Sequence, residues 1–384
     1  MYYLDNRGVP ALLLYGAAAV FVLAAALAVW AGSKLRSFDA KAALAIVLCG
    51  ALFCFANPPL QVPDEAAHFL RSYSLSQGRL TFDHDRLYPD DVAKLVESFP
   101  GAWVAAHTSQ GLTYTEEGEE RSYTTAGYAL KQRGENGRVE SIADGFAAYF
   151  DGEPAKEAVG EPYFFMTLSM LPQALGILAA RILGFKALGC LYAARLANLA
   201  AYAALCWLAL KNCRRYKPVF TAFMLLPLSL YMAASVSYDA ALLGFYYLVA
   251  SFYCKDEILD RDIAVFIVAF LMMNLAKPYI SLLWVVLPLV LPRPAWKTRV
   301  KKWQLAVGCL VGGLALGKLF DWYGTAFRFN YPYVGRQIEG AAEVPQLLGI
   351  LANPFRYAAV LLGTFYENDF FLGQLGVFGA LDLE

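Results

Sequence analysis

The sequence contains few charged residues for its length. Only 17% of its 384 residues are charged and 59% are apolar, whereas an average soluble domain has about 25% charged and 45–50% apolar residues. The 32 basic residues are balanced by 32 acidic ones, so the basic face of a nucleic-acid-binding protein is also missing. The composition therefore predicts an integral membrane protein whose partner is the lipid bilayer, with no nucleic-acid partner.

Cysteine is missing from the long polar segment between Pro58 and Pro162. Of the seven cysteines, six lie in apolar runs and Cys213 lies in a basic connector, and no two are spaced as CxxC. We therefore expect buried free thiols that pack as small apolar side chains. The sequence offers no cysteine pattern of a structural zinc site.

Eight apolar runs are candidates for membrane-spanning helices, which need about 20 predominantly apolar residues. They are Ala11–Ala31, Ala42–Ala56, Ala187–Leu210, Val219–Ala234, Ala240–Tyr253, Ile263–Leu275, Ile280–Leu291 and Leu305–Phe320. In the last run, Gly308 is followed by Gly312 and Gly313 by Gly317, a spacing typical of close packing between membrane helices. The sequence thus predicts an all-α, polytopic membrane protein with about eight transmembrane helices and additional interfacial helices.

The distribution of charge along the chain predicts its orientation. The 105 residues from Pro58 to Pro162 carry 18 acidic and nine basic side chains, a net charge of −9. Basic residues cluster instead in three short connectors, at residues 34–41, 211–217 and 293–302. Because cytoplasmic connectors carry an excess of Lys and Arg, we expect these connectors on the inside and the large acidic loop on the outside.

Two further apolar runs are expected to lie along the outer interface. Phe164–Leu183 would move the next two basic connectors outside if it crossed the membrane, and Leu347–Phe365 is interrupted by Asn353-Pro354. The predicted organisation is two transmembrane helices over 1–57, the acidic loop with an interfacial helix over 58–186, a transmembrane bundle over 187–321 and an outer segment over 322–384. We also expect that this chain stops short of further helices.

The stretch from Pro63 to Arg71 is the leading candidate for chemistry. Pro63 suits a first helical turn, where Asp64 and Glu65 would face the positive end of the helix dipole. On such a helix Asp64 lies four residues and Glu65 three residues before His68, so the three side chains can converge. A carboxylate at the membrane–water boundary can accept a proton from a hydroxyl nucleophile. The same residues also fit an ordinary helix start with a histidine partner, and both interpretations stay open.

A metal site has one candidate position in the acidic loop. Asp83, His84 and Asp85 have the Asp-x-Asp spacing that holds divalent cations, although surface loops contain such residues by chance. The segment Asp64-Glu65-Ala66-Ala67-His68 lacks the first histidine of an HExxH zinc helix. A divalent metal at residues 83–85 is therefore an open hypothesis, and the sequence indicates no other cofactor.

Three charged residues lie in or beside the apolar runs. An Arg, Lys or Asp at the centre of a membrane helix costs about 2.5–3.5 kcal/mol on insertion scales, so Arg195, Asp239 and Lys277 each need a reason. In the predicted topology all three reach the same outer face as Asp64. Arg195 and Lys277 could then neutralise a phosphate, Arg195 through its two-pronged guanidinium. The alternatives are side chains that extend to the interface, or an Arg195–Asp239 ion pair.

Four segments in a fixed order resemble one bacterial family. They are Pro58–Gly78 with Pro-Asp-Glu-x-x-His, Tyr163–Asn198 with Leu-Pro-Gln and Ala-Arg-Leu-Ala-Asn, Leu226–Asp239, and Lys277-Pro278-Tyr279. Over roughly residues 40–380 the chain resembles the domain-of-unknown-function 2142 family of multi-pass membrane proteins. That family in turn looks like the GT-C superfamily of glycosyltransferases.

The resemblance implies a GT-C-like enzyme of the bacterial cytoplasmic membrane. Such an enzyme transfers a sugar from a polyprenyl-phosphate carrier to a cell-envelope glycan or lipid-linked acceptor on the outer side. The implied catalytic residues are Asp64 as the base with Glu65 and His68 beside it, and the implied donor-phosphate ligands are Arg195 and Lys277. The implied supporting residues are Arg71, Tyr238, Asp239 and Tyr279. A transporter or flippase of lipid-linked saccharides, or a non-catalytic partner of envelope polysaccharide assembly, are the alternatives.

Overall fold

The computed structural model describes residues 32–80, 86–99, 109–116, 119–126, 142–161, 168–277, 286–290, 295–328 and 343–367, together with residues 26 and 30. Within these ranges the chain is mostly helical, as predicted. The helices before the basic connector at 211–217 are α1 (Phe38–Ala56), α2 (Glu65–Ser76), α3 (Asp90–Ser98), α4 (Ile142–Tyr149), α5 (Leu171–Ile182) and α6 (Ala187–Asn212).

The second half of the chain continues with shorter helices and one long one. They are α7 (Lys217–Met224), α8 (Pro227–Ala233), α9 (Asp239–Ser251), α10 (Asp260–Ala276), α11 (Leu287–Val290), α12 (Lys302–Arg328), α13 (Glu343–Ala352) and α14 (Pro354–Glu367). The sequence did not predict the antiparallel hairpin of β1 (Ser109–Glu116) and β2 (Glu119–Ala126) in the acidic loop. Its register pairs Ser109 with Ala126 and Glu116 with Glu119.

Helix α1 has well-defined ends. The Ser37 hydroxyl accepts a hydrogen bond from the Ala40 N–H at 3.2 Å, which satisfies one of the N–H groups that a helix start leaves unpaired. The helix ends at Ala56 because Asn57 precedes Pro58, and the residue before a proline is pushed out of the helical region. Asn57 is accordingly extended, with φ −72° and ψ 125°.

Helix α6 is the central element, because it packs against α1, α5 and α9. Its first turn is held by the acidic loop: the Ala187 N–H donates to the Asp91 carboxylate at 2.8 Å and the Leu188 N–H donates to the Tyr149 hydroxyl at 3.2 Å. These two contacts hold α3 and the end of α4 to the start of α6.

Glycines permit α6 to approach its neighbours closely. A Cβ on Gly50 of α1 would lie 2.3 Å from a methyl of Leu199, and a Cβ on Gly176 of α5 would lie 2.5 Å from the Ala193 carbonyl oxygen. By contrast, no atom of the described residues lies within 4 Å of a Cβ built on Gly308 or Gly312. Among the described residues, the close packing predicted at these two glycines of α12 is not seen. Close packing at glycines is seen in the α1–α6 and α5–α6 pairs.

The run Val219–Ala234 is two helices, so the prediction of one continuous span there is wrong. Helix α7 ends at Met224 and α8 begins at Pro227, with Leu226 extended between them at φ −54° and ψ 137°. A proline inside a helix removes one hydrogen bond and clashes with the carbonyl four residues earlier. Pro227 is tolerated because it stands in the first turn of a new helix.

Two of the described helices, α1 and α6, are long and apolar enough to cross a bilayer. The segments Leu168–Ile182 and Asp239–Cys254 are shorter apolar helices. Much of the first predicted span and of Ile280–Leu291 lies outside the described residues, so the count of eight spans stays a prediction. The part of Phe164–Leu183 that is described forms a short 3₁₀ turn followed by α5, and its position at the interface also stays a prediction.

Buried apolar side chains form two clusters that meet along α6. One cluster joins α1 with α7, α8, α9, α10 and α12, and it includes Leu199 and Tyr202 of α6. The other joins α2, α3 and α5, and it includes Leu191 and Ala194 of α6. Arg195 and Asn198 lie between these two stretches of α6 and are themselves fully buried. The junction of the two clusters is therefore polar.

Candidate functional site

The backbone at the start of α2 adopts an unusual conformation. Asp64 precedes the helix in the left-handed region, with φ 56° and ψ 9°, and Leu60 also has a positive φ of 61°. Residues other than glycine seldom adopt this region, and strained positions of this kind cluster at functional sites. The Asp64 side chain is exposed and makes no capping hydrogen bond to the helix. Its carboxylate therefore lies at the surface of α2 instead of stabilising the helix start.

Glu65 and Arg195 form a fully buried ion pair. Arg195 Nε and one terminal nitrogen donate to the two Glu65 carboxylate oxygens at 2.8 Å and 2.6 Å. The remaining guanidinium N–H groups donate to the backbone carbonyls of Cys54, Asn57 and Pro58, at 2.8–2.9 Å. All five N–H donors of an arginine are thus engaged, and they tie α6 to α2 and to the end of α1.

Arg195 therefore does not have the role that the resemblance implied. Its side chain is 0% exposed and its donors are taken by the protein, so it has no N–H group left for a donor phosphate. The alternative Arg195–Asp239 ion pair is not formed either, because Arg195 pairs with Glu65 and Asp239 with Lys277. Arg195 instead connects α6 to α2 and to the end of α1.

Glu65 and two buried amides also hold the segment between α8 and α9. The Val236 N–H donates to Glu65 Oε1 at 3.0 Å. The Asn198 amide donates to the carbonyls of Ser235 and Ser237 at 2.7 Å and 2.8 Å, and the Gln173 amide donates to the Ser237 carbonyl at 2.9 Å. Neither Gln173 nor Asn198 was predicted from the sequence as a site residue. The sequence could have indicated both, because an amide side chain inside an apolar run needs a buried hydrogen-bond partner.

Helix α2 also contacts the residues that follow Ser237. His68 and Arg71 are three positions apart on α2, so they share one helix face, and Asp64 stands immediately before the helix. The His68 ring packs on the Tyr238 ring with centroids 4.8 Å apart, and Lys277 Nζ lies 5.4 Å from the centre of the Tyr238 ring. Glu65 bonds instead to Arg195 and to the Val236 N–H, and among the described residues it makes no hydrogen bond to His68. We call the residues Asp64, His68, Arg71, Tyr238, Asp239 and Lys277 the α2–α9 cluster.

Charged groups of both signs surround Tyr238 in the α2–α9 cluster. Burial raises the pKa of its phenol, and Asp239 and Asp64 raise it further against the opposing effect of Lys277 and Arg71. Lys277 Nζ lies 2.8 Å from Asp239 Oδ1, and its side chain is 41% exposed. Burial lowers the pKa of Lys277, but the Asp239 carboxylate outweighs burial and leaves the pKa above its ordinary value. The ammonium of Lys277 is thus charged and accessible.

His68 differs from the other cluster residues because it is neutral at physiological pH. Burial lowers the pKa of its imidazole to about 3, and the cations Arg71 and Lys277 lower it as well, against a hydrogen bond to the Val236 backbone. Its Nδ1 is buried and has no hydrogen-bond partner among the described residues. Other buried side-chain atoms of the described residues, such as Ser72 Oγ and Asn274 Oδ1, also lack a partner, and each such atom needs an explanation.

Four predicted site residues lie outside the described residues: Tyr279, Asp83, His84 and Asp85. The metal hypothesis for residues 83–85 therefore stays a prediction. In the parts of the chain that are described, no three or more His, Cys, Asp and Glu side chains are grouped so as to hold a metal ion.

A second buried polar cluster lies at the end of the acidic loop, and sequence reasoning missed it. Glu161 Oε1 accepts hydrogen bonds from the Ser74 hydroxyl at 2.8 Å and from Arg79 at 3.1 Å, and Arg86 lies 3.5 Å away. The Tyr88 hydroxyl donates to the Leu70 carbonyl at 2.8 Å. These contacts join the end of the loop to the last turns of α2, and so they hold the helix that carries Asp64.

Comparison with known families agrees with the helical, apolar character of the chain. A family model described as a predicted membrane protein, DUF2142, matches residues 47–384. No curated protein matches the chain, and no solved structure does. Because the family model covers most of the sequence, from the end of α1 onward, the chain is a membrane protein that belongs to the domain-of-unknown-function 2142 family.

Proposed function

We propose that this protein is a membrane glycosyltransferase of GT-C type. It transfers a sugar from a polyprenyl-phosphate carrier to a cell-envelope glycan or lipid-linked acceptor on the outer side of the bacterial cytoplasmic membrane. The observation that carries the proposal is the contrast between two neighbouring carboxylates. Glu65 is buried and fully paired, whereas Asp64 is exposed, holds a left-handed backbone conformation and makes no capping bond.

Asp64 is the proposed base. It removes the proton from an acceptor hydroxyl, and the resulting oxygen attacks the anomeric carbon of the sugar. The bond between that carbon and the phosphate oxygen breaks, and polyprenyl phosphate leaves with both electrons of the bond. The helix that carries Asp64 is fixed by the Glu65–Arg195 pair and by the Glu161 contacts, so its carboxylate is preorganised for this step.

Lys277 and Arg71 are the proposed ligands of the donor phosphate. Both act on Tyr238, and Lys277, whose side chain is 41% exposed, pairs with Asp239 within the described residues. A phosphate oxygen would approach the ammonium from the exposed side, and the positive charge would stabilise the leaving phosphate. This assignment transfers the phosphate-binding role from Arg195 to Arg71, a basic residue that acts on Tyr238 together with Asp64.

The test is turnover of candidate donors by the purified protein in lipid nanodiscs. We expect release of polyprenyl phosphate from at least one polyprenyl-phosphate sugar, and we expect Asp64→Asn to reduce it by a factor of about 10² or more. Asp90→Asn is the matched control, since Asp90 is also an exposed aspartate at the start of a helix in the acidic loop. Turnover that is unchanged in Asp64→Asn would contradict the proposal.

Lys277 variants test the phosphate assignment separately. Lys277→Gln should raise the donor KM by about tenfold or more, because a charge-assisted contact to phosphate contributes about 1.5–3 kcal/mol. Lys277→Arg keeps the charge and should recover most of the affinity. An unchanged KM in Lys277→Gln would exclude this residue as a phosphate ligand.

A further inference from the structure

His68 presents an unused hydrogen-bond acceptor inside the α2–α9 cluster. Its side chain is 5% exposed, and its Nδ1 has no partner in the described part of the chain. A buried polar atom that lacks a partner costs about 1–3 kcal/mol. Because α2 is fixed on both sides, by Arg195 and by Glu161, the helix cannot rotate to relieve this cost. A donor group brought to Nδ1 by a ligand would remove this cost.

The contacts of the other imidazole nitrogen define which nitrogen carries the proton. The Val236 N–H is already bonded to Glu65 Oε1, so the Val236 carbonyl is the group that remains for His68. A hydrogen bond between His68 and this backbone favours the protonated imidazole, as a bond donated by the ring to a carbonyl does. Since Nδ1 is the unpartnered nitrogen, Nε2 is the donor. A neutral imidazole protonated on Nε2 has a lone pair on Nδ1 and can only accept there.

The surroundings of His68 indicate what the donor is. Arg71 and Lys277 are the cations that act on the ring, Tyr238 packs on it, and Asp64 and Asp239 complete the charged groups around Tyr238. Cations select an anionic group in the ligand, whereas a neutral acceptor selects an O–H or N–H. One ligand class carries both within a short distance, namely a sugar attached to a phosphate.

We propose that His68 Nδ1 accepts a hydrogen bond from a sugar hydroxyl of a bound sugar phosphate, whose phosphate lies against Arg71 and Lys277. This proposal rests on the proposed function in one respect only, the choice of a sugar phosphate as the ligand class. It assigns His68 to sugar recognition instead of proton transfer, so that Asp64 is the group that exchanges a proton with the acceptor. The headgroup chemistry is shared by a free sugar phosphate and a lipid-linked one.

The first test reads the imidazole directly. The chain has three histidines, so ring-¹⁵N-histidine labelling of the full chain in nanodiscs gives three sets of nitrogen resonances, and His68→Gln identifies the set of His68. We expect an Nε2-protonated, neutral ring that does not titrate between about pH 5 and 8, unlike an ordinary histidine. Protonation of His68 within that range, or a proton on Nδ1, would overturn the proposal.

The second test adds ligands to the same sample. A hexose 1-phosphate or a polyprenyl-phosphohexose should shift the His68 Nδ1 resonance upfield, as hydrogen bonding to a lone pair does. A shift with both probes identifies the headgroup as the ligand, and a shift with the lipid-linked probe alone identifies the membrane donor; either supports the proposal. Inorganic phosphate that shifts Nδ1 equally, or no shift with any probe, would overturn it. So would a change of the ligand-free resonance in Tyr279→Phe, since that residue's hydroxyl would then be the partner.

Binding measurements distinguish this role from a structural one. His68→Leu should weaken sugar-phosphate binding about tenfold, whereas His68→Asn, which keeps an acceptor oxygen near the position of Nδ1, should recover most of the affinity. Ser76→Ala is the control, because Ser76 is another buried polar residue of α2 and its hydroxyl already donates to the Tyr73 carbonyl. Equal losses in His68→Leu and His68→Asn would overturn the assignment.

The outcome is separable from that of the proposed function. A sugar-phosphate-induced shift at Nδ1 without any donor turnover supports this binding role and rejects the transferase. Asp64-dependent turnover without a shift at Nδ1 supports the transferase and rejects the role of His68.

Discussion

At the scale of single residues, two neighbouring carboxylates have different roles. Asp64 stands before α2 with an exposed side chain, whereas the Glu65 carboxylate is buried against Arg195. The sequence predicted that Asp64, Glu65 and His68 could converge and that Arg195, Asp239 and Lys277 would reach the same face as Asp64. Of these six residues, Asp64, His68, Asp239 and Lys277 lie around Tyr238. The sequence could not predict that Glu65 would pair with Arg195, because 130 residues separate the two and the rotation of α6 decides the contact.

Removing one partner of the Glu65–Arg195 pair should strongly destabilise the protein. Arg195→Gln leaves Glu65 buried without its counter-charge, a loss of about 3–5 kcal/mol for pairs of this kind. We expect a clearly lower Tm of the detergent-purified variant, and a double variant Glu65→Gln/Arg195→Gln that loses less than the two single losses combined. Arg214→Gln is the control, because the Arg214–Asp256 pair is exposed and such pairs contribute about 0–1 kcal/mol. Equal Tm values for the two arginine variants would contradict a stabilising role of the Glu65–Arg195 pair.

His68 should make the protein less stable in mild acid. Burial, Arg71 and Lys277 lower its pKa in the folded chain to about 3, against 6.5 for the ordinary side chain. Between these values the unfolded chain binds one proton more than the folded chain, so stability is fully present above about pH 6.5 and falls toward pH 3. The slope is at most about 1.4 kcal/mol per pH unit. Thermal unfolding at several pH values should show a shallower acid slope in His68→Gln, and an identical slope would contradict this prediction.

At the scale of elements, apolar runs predicted helices well and their interruptions poorly. Ala187–Leu210 was predicted and α6 spans Ala187–Asn212, since neither glycine nor proline breaks its interior beyond Gly189. The break at Pro227 divides a run that composition alone reads as one span. The hairpin of residues 109–126 was missed because polar, charged strands carry no apolar alternation. Which glycines pack closely also depends on tertiary contacts that sequence spacing does not contain.

The α5–α6 contact should be sensitive to a single methyl group. In Gly176→Ala the new Cβ would lie 2.5 Å from the Ala193 carbonyl oxygen, and this backbone atom cannot move without shifting α6. Overpacking of this kind costs about 1–3 kcal/mol, so we expect a lower Tm. Gly312→Ala is the matched control, because the position is open toward the described residues and alanine favours a helix interior. A Tm loss in Gly312→Ala as large as that in Gly176→Ala would argue against the packing account.

At the scale of the whole molecule, the separation of charge predicts the orientation in the membrane. The acidic loop contains Asp64 and Glu161, whereas the basic connectors contain Arg214 and Lys217. Helix α6 links the two regions: the acidic loop holds its first turn, and its last turn leads into the connector at 211–217. The predicted orientation places the site on the outer side, as the proposed lipid-linked donor requires.

Labelling of introduced cysteines tests this orientation. Glu153 and Arg214 are both exposed and lie at opposite ends of the predicted topology. In intact cells we expect a membrane-impermeant maleimide to label Glu153→Cys, and to label Arg214→Cys only after permeabilisation, with the unmodified chain as the background. Labelling of both positions in intact cells would contradict the predicted orientation.

In the proposed mechanism Asp64 acts as the base, whereas Glu65 stabilises the fold through its ion pair with Arg195. The most direct measurement compares Asp64→Asn with Glu65→Gln in one preparation, recording Tm and the release of polyprenyl phosphate from a lipid-linked sugar. We expect Asp64→Asn to keep the Tm of the unmodified chain and to lose turnover, whereas Glu65→Gln should have a lower Tm. Full turnover by a stable Asp64→Asn protein would contradict the role of Asp64 as the base.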